Sequence, residues 1–271
     1  NPGTKLVSWI HVEQHTMDKL AGSFRSKKEA RACYSKFDQT VCVSQYVHDD
    51  FCQLLDFRKP CRVLYNTVES DKILAGANEA APELADDGKI RLIAVGTLKQ
   101  SKGYMRLLKI IRCLRDEQYP VHLYILGIGP LQQEMEEYIR QNKLQDTVTL
   151  LGYQTNPYKY VSKCDLFVCA SFAEGFSTAA TEALIVGIPV CTVEVSGMKE
   201  MLGEDNEWGV VVENSEKTLY QGIKNLLGEA EMLAHYKGKA AERGKMFSTQ
   251  NTVRAAEKML LELWGCYSEY H

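Results

Sequence analysis

Residues 166–190 read LFVCASFAEGFSTAATEALIVGIPV. The run 166–170 is apolar at nearly every position, as a strand buried on both faces requires. The chain then turns polar and glycine-containing, and Ser177 stands where a helix N-cap is expected. Residues 178–186 carry no breaker and read as a helix, closed by Gly187 and Pro189. Residues 190–193 form the next apolar strand. A buried strand, loop, helix and second buried strand in so short a stretch make a βαβ unit, so the sheet is parallel.

The same alternation extends outward from this unit. Upstream, strands are expected over 90–95, 121–126 and 148–151, with helices over 104–115, 131–142 and 157–163. Downstream, a strand over 209–212 and a helix over 216–227 continue it, and a last helix over 251–264 follows. The first part of the chain has strands over 6–10, 40–43 and 62–64, with a helix over 27–37. A second helix starts near Gln45 behind Ser44 as N-cap. Residues 70–88 collect Ala, Glu, Asp and Asn around Pro82 and read as a linker. The fold class is therefore α/β, with parallel sheets covered by helices.

Composition narrows the functional classes. The 271 residues hold 32 Lys and Arg against 35 Asp and Glu, a net charge of −3. That balance argues against nucleic acid as a general partner. No window supplies the roughly 20 apolar residues of a membrane span, and the opening Asn1-Pro2-Gly3-Thr4 does not read as a signal peptide. Arg25, Lys27, Lys28 and Arg31 form a solvated helix face or a docking surface for an anionic acceptor or membrane. Of the nine cysteines, Cys33, Cys42, Cys52 and Cys61 lie nine or ten residues apart, without a CxxC pair. The histidines show no HExxH. Reduced, mostly buried thiols in a cytoplasmic protein are expected, and no metal site.

Ligands of open α/β sheets bind beyond the carboxyl ends of the strands. Three loops qualify: 96–103, 127–130 and 171–178. Gly175 allows close backbone approach, Ser177 caps the following helix, and that helix start faces an anion with free N–H groups. Lys102 reaches the same anion as a point charge. Glu174 and Glu182 each suit a vicinal diol, because a carboxylate accepts two hydrogen bonds side by side. Taken singly, Lys102 reads as a surface lysine, Gly127-x-Gly129 as a plain turn and Glu182 as a solvent-facing helix residue. Taken together, a diol, a diphosphate and a second diol describe a nucleotide sugar.

The segment Glu174 to Val190 resembles the E-x7-E signature of retaining glycosyltransferases of the GT-B fold. It is most similar to the large family 4 of bacterial capsule, lipopolysaccharide and teichoic-acid enzymes. The resemblance runs through Gly96 with Lys102-Gly103, Gly127-x-Gly129-Pro130, Gly152 with Asn156-Pro157, Asp165-Leu-Phe-Val and Ser196-Gly197-Met198-Lys199-Glu200. It implies that Glu174 holds donor-sugar hydroxyls and Glu182 the ribose diol. Lys102 and the backbone of Phe176, Ser177 and Thr178 would stabilise the leaving diphosphate, with Gly96, Thr97, Gly127, Gly129 and Gly175 around the donor. Tyr153 would lie near the base. Where the family usually has Gly-Arg-Leu, this chain has Gly96-Thr97-Leu98. Losing that charge-assisted partner costs about 1.5–3 kcal/mol unless Lys99 replaces it.

Val7-Ser8-Trp9-Ile10-His11 resembles the strand ending in the acceptor-domain histidine near the reacting sugar. Val41 to Ser44 resembles that domain's last strand, and Leu64 to Val68 the crossover into the next. By this resemblance residues 1–69 are the last part of an N-terminal Rossmann-like acceptor domain lacking its first strands. Residues 70–87 are a linker, 88–250 a complete nucleotide-sugar domain, and 251–271 a helix returning to the first domain. The implied activity is a retaining, metal-independent transfer from a nucleotide-diphosphate sugar, UDP-linked, to a saccharide or lipid-linked acceptor, with His11, Lys102 and Glu174 catalytic and no cofactor. The implied setting is cell-surface polysaccharide synthesis in the cytoplasm, peripheral to the membrane. An inactive donor-binding partner subunit and a nucleotide-sugar epimerase are the alternatives.

Overall fold

A computed structural model describes residues 3–13, 23–81, 84 and 87–265. Val7–Ile10 (β1), Gln39–Cys42 (β2) and Cys61–Val63 (β3) pair in that order as a parallel sheet. Its register sets Ile10 opposite Cys42 and Cys42 opposite Val63. Helix α1 is Lys27–Tyr34 and α2 is Gln45–Leu55. Ser44 caps α2 by accepting from the Val47 N–H at 3.1 Å. Val47, Phe51 and Leu55, four residues apart, are buried, and α2 packs them towards β2 and β3.

The second sheet comprises Ile90–Val95 (β4), Val121–Leu126 (β5), Val148–Gly152 (β6), Leu166–Cys169 (β7), Val190–Val193 (β8) and Val210–Val212 (β9). Its order is β6-β5-β4-β7-β8-β9, with every pair parallel. Every residue of β5, β7 and β8 is buried. Chain order reverses between β4 and β7, and the crevice beyond that switch point is where such sheets take ligands.

The remaining helices are Ser70–Ala77 (α3), Tyr104–Asp116 (α4), Gln132–Gln141 (α5), Tyr158–Val161 (α6), Thr178–Val186 (α7), Met198–Leu202 (α8), Glu216–Gly228 (α9), Ala230–Gly244 (α10) and Thr249–Leu263 (α11). Three, α3, α8 and α10, differ from the sequence reading, which expects no helix between the strands over 190–193 and 209–212. The stretch read as a linker opens with α3, whose Ile73 and Ala77 are buried. Its end is held by Asn156 Nδ2 donating to Gly76 O at 3.0 Å and Ser162 Oγ to Ala77 O at 2.7 Å. Helix α10 was not anticipated, because its sequence is polar and holds two glycines. It forms by packing on α7, where small residues let the backbones meet. A Cβ on Gly244 would sit 2.2 Å from Leu184 O.

The two sheets share one apolar cluster. Helix α11 reaches back to the first sheet through Glu262 Oε2, which pairs with Arg62 Nη2 of β3 at 2.5 Å. Among the described residues no helix is long and apolar enough to cross a membrane. Within the basic cluster of α1, Arg31 Nη1 is 2.9 Å from Asp56 Oδ2.

Candidate active site at the sheet switch point

The loops after β4, β5 and β7 converge at the switch point. Gly127 has φ +139°, and a Cβ there would lie 2.0 Å from Gly96 O. A Cβ on Gly129 would lie 2.4 Å from Leu98 O. These glycines therefore let the β4 and β5 loops touch each other, whatever ligand lies above. Thr97 and Lys99 are exposed on the same loop, with neither drawn into the switch-point cluster.

The β4 loop tightens into a 3-10 turn, Gln100–Lys102, which aims Lys102 at the β7 loop. Its Nζ lies 2.7 Å from Glu174 Oε1 and 2.8 Å from Oε2. Ser171 Oγ donates to Glu174 Oε1 at 2.5 Å. The carboxylate is only 10% exposed and the ammonium 25%, so the pair is largely shielded from water. The cavity beside it holds only about 20 Å³, roughly one water molecule by volume. The two groups expected on separate parts of a donor are therefore joined to each other.

Arg106 holds this loop from below. Its Nε donates to Ala170 O at 2.7 Å, Nη2 to Ser171 O at 2.8 Å and Nη1 to Asn214 Oδ1 at 2.7 Å. The guanidinium also lies 4.1 Å from the Phe172 ring centroid. Burial pulls its pKa below the ordinary arginine value. Sequence reading missed Arg106, because its spacing from Lys109 and Arg112 suggests a solvated stripe.

Ser177 caps α7, accepting from Ala180 N–H at 3.4 Å. Thr178 begins the helix and is exposed. Phe176 is buried by stacking on Tyr65 at 4.9 Å between centroids, so only its backbone faces the helix start. One turn along α7, Glu182 accepts from Tyr158 O–H at 3.1 Å. Burial raises the Glu182 carboxyl above the usual glutamate range, partly offset by that hydrogen bond. Tyr158 is pushed up to about 12, by burial first and then by Glu182. Tyr153 is exposed, beyond the end of β6.

Gly175 serves a different approach from the one expected. A Cβ on it would lie 2.3 Å from His11 O, so the backbone that comes close is that of the first sheet. His11 itself is exposed, its ring stacked beside Trp9. Ser196, at φ +42°, donates to Glu13 Oε2 and contacts Glu174 O. Across the same seam Glu200 Oε2 accepts from Gln45 N–H at 2.7 Å, at the start of α2. Burial raises the Glu200 carboxyl despite that bond. A cavity of about 530 Å³ opens here, lined by Glu13, Tyr46, Phe172, Ser196 and Glu200 among others. Sequence reading marked Ser196 and Glu200 only as part of a motif and gave them no partner.

A family model described as glycosyl transferases group 1 matches residues 77–243. The Campylobacter jejuni N-acetylgalactosamine-N,N'-diacetylbacillosaminyl-diphospho-undecaprenol 4-alpha-N-acetylgalactosaminyltransferase is 36% identical over 205 residues, which cover 75% of this chain and 54% of that protein. The chain thus spans about half the length of this curated relative. Among solved structures, Anabaena HepE in complex with UDP superposes with a TM-score of 0.80 at 18% identity, over 95% of this chain and 72% of that one. A Staphylococcus aureus TarM variant in complex with fondaparinux, alpha-GlcNAc-glycerol and UDP gives 0.76 at 21% identity, over 96% and 50%. At such identities the likeness is one of fold, and the fold is GT-B.

Proposed function

The chain belongs to the glycosyl transferases group 1 family, and from that premise we propose that it is the donor-side part of a retaining glycosyltransferase. It moves a sugar from a UDP-linked donor to a saccharide or lipid-linked acceptor in cell-surface polysaccharide synthesis, at the cytoplasmic side of the membrane. The observation that carries this reading is the convergence of Lys102 and Glu174 at the switch point beside the start of α7. UDP in the two solved structures supports the donor class. The diphospho-undecaprenol substrate in the name of the Campylobacter relative supports a lipid-linked acceptor. Residues 88–250 are the donor unit, and residues 1–69 contribute the acceptor side.

On this reading the diphosphate settles at the N-terminal end of α7, where backbone N–H groups and the helix dipole favour an anion. Lys102 exchanges Glu174 for the phosphate, and Glu174 turns to the sugar hydroxyls. Glu182 takes the ribose diol and Tyr153 lies beside the base. The bond from the anomeric carbon to the phosphate oxygen breaks, while the acceptor oxygen bonds to the same face. The acceptor's proton passes to the departing phosphate. Lys102 and the helix start meet the charge that develops there, so no metal is needed for that role. His11 lines the acceptor side of the reacting sugar.

The test measures UDP release from a panel of UDP-sugars with lipid-linked saccharides as acceptors, with and without added magnesium or manganese. Acceptor-dependent release, unaffected by those ions and lost in Lys102→Ala, is expected. Failure to bind UDP at all, or release that needs an added hard cation, refutes the reading.

A further inference from the structure

The cysteine spacing contains no metal motif, yet the first sheet gathers four metal-ligating side chains. Cys42 ends β2, Cys61 begins the adjacent β3, and His48 and Cys52 stand one turn apart on α2, which packs over both strands. Cys42 Sγ lies 3.5 Å from Cys61 Sγ, and Cys52 Sγ lies 3.8 Å from His48 Nε2. The ligand atoms of His48, Cys52 and Cys61 all fall within 4.8 Å of one another, and Cys42, outside that group, adjoins it through the Cys61 sulfur. A tetrahedral zinc ion with Zn–S bonds of about 2.3 Å sets its sulfurs ~3.8 Å apart, so His48, Cys52 and Cys61 stand within reach of one ion and Cys42, 3.5 Å from Cys61, closes in as the fourth donor.

A second feature points the same way. His48 Nδ1 lies 2.8 Å from Asp49 Oδ1, which also accepts from Gln45 Nε2 at 2.7 Å. Gln45 Nε2 also lies 3.1 Å from Nδ1, but it already donates to the carboxylate. An ionised carboxylate only accepts, so the shorter Asp49 contact favours the ring proton on Nδ1, with the Nε2 lone pair towards the thiols. A carboxylate that orients a histidine in this way is the usual outer partner of a metal-bound imidazole. His48, Cys52 and Cys61 are partly exposed while Cys42 is buried, so an ion has a route in and a closed inner side.

We propose that Cys42, Cys52, Cys61 and His48 form a binding site for a soft divalent cation, zinc by its donor set. Three sulfurs and one imidazole select against magnesium and calcium, which take oxygen ligands. The ion displaces the thiol protons to solvent and fastens α2 to β2 and β3. Because Gln45, at the start of α2, is held by Glu200 across the seam, the ion also stiffens one wall of the interdomain cavity. This site is separate from the donor residues and stands whether or not the proposed transfer reaction does.

The chain, purified under reducing conditions without chelator, is expected to carry one equivalent of zinc by atomic absorption. After chelation, cobalt(II) titration should give one equivalent with the intense visible bands of tetrahedral thiolate coordination, erased by added zinc. Cys61→Ser should weaken cobalt binding and diminish the sulfur-to-cobalt band, and Cys52→Ser combined with Cys61→Ser should abolish it. Asp49→Asn, a positioning change, should weaken cobalt binding ~10–100-fold with far-UV circular dichroism unchanged. Cys33→Ser combined with Cys113→Ser, both exposed thiols outside the cluster, should change nothing. Absence of thiolate–cobalt bands in the reduced parent chain overturns the proposal without any variant needing to fold. So do bands of undiminished intensity and affinity in Cys61→Ser, or isolation of a Cys42–Cys61 disulfide without metal.

Discussion

Replacing Lys102 by Met keeps an apolar stem of similar length and removes the ammonium that lies 2.7 and 2.8 Å from the two oxygens of Glu174. Severing a fully buried pair costs about 3–5 kcal/mol, whereas an exposed one contributes about 0–1 kcal/mol. Here the carboxylate is 10% exposed and the ammonium 25%, and Glu174 keeps its bond from Ser171. The expected loss therefore lies between those limits, about 2 kcal/mol. For a domain of this size that lowers the melting temperature by roughly 4–8 °C. Glu174→Gln in the same background removes the stranded charge, so the double variant should regain most of the loss. The cycle should show a coupling of about 1.5–2 kcal/mol by urea denaturation. Turnover should behave differently. Both Lys102→Met and the double variant should lose about 10²–10³ in rate, since neither can meet the charge of the leaving diphosphate. Additive stabilities, or a double variant that regains turnover with stability, refute the assignment of Lys102 to both tasks.

Glu182→Ala should weaken UDP binding by about 1.5–3 kcal/mol, roughly 10- to 150-fold in Kd by calorimetry, through loss of two charge-assisted bonds to a diol. Because burial holds the Glu182 carboxyl above the ordinary glutamate range, UDP affinity should fall as pH drops through that raised value. Relative to Glu182→Gln, which titrates nowhere in this window, that pH slope should vanish. The sign for stability is opposite: a raised carboxyl favours the fold below its unfolded pKa, and that contribution is lost as pH rises. Glu182→Gln should thus gain stability relative to the parent towards neutral pH in urea denaturation. Gly175→Ala places a Cβ 2.3 Å from His11 O and should cost about 1–3 kcal/mol, read as a lower urea midpoint. Arg106→Met leaves the Ala170 and Ser171 carbonyls without their donor, at about 1–3 kcal/mol each, and should lower turnover by loosening the Glu174 loop.

Much of the second sheet and its helices was legible because their signals are local. The strands Ile90–Val95, Val121–Leu126 and Val190–Val193 and the helix Thr178–Val186 have the bounds their apolar runs, caps and breakers indicate. Helix α10 escaped because its stability comes from packing on α7, where Gly244 meets the Leu184 carbonyl, and a lone polar helix of that composition carries little periodic signal. Helix α3 escaped for the same reason: its buried residues acquire meaning only where it packs on α6 and α7, with Asn156 and Ser162, some 80 residues on, bonded to the carbonyls of Gly76 and Ala77. Arg106 escaped because an arginine on a helix reads as solvated until two buried carbonyls are found waiting for it.

By itself, then, the sequence determined the βαβ alternation, the loops at the strand ends and the pairing of Glu174 and Glu182 along one loop and helix. These depend on residues within a few turns of one another. Tertiary structure alone decided which distant groups meet. Lys102 and Glu174 are 72 residues apart and touch because β4 and β7 are neighbours at the point where strand order reverses. Cys42 and Cys61 face each other because parallel pairing brings the end of β2 beside β3, and α2 then lays His48 and Cys52 over them. Parallel strands put all their carboxyl ends on one edge, so chemistry collects there from segments that local patterning cannot connect.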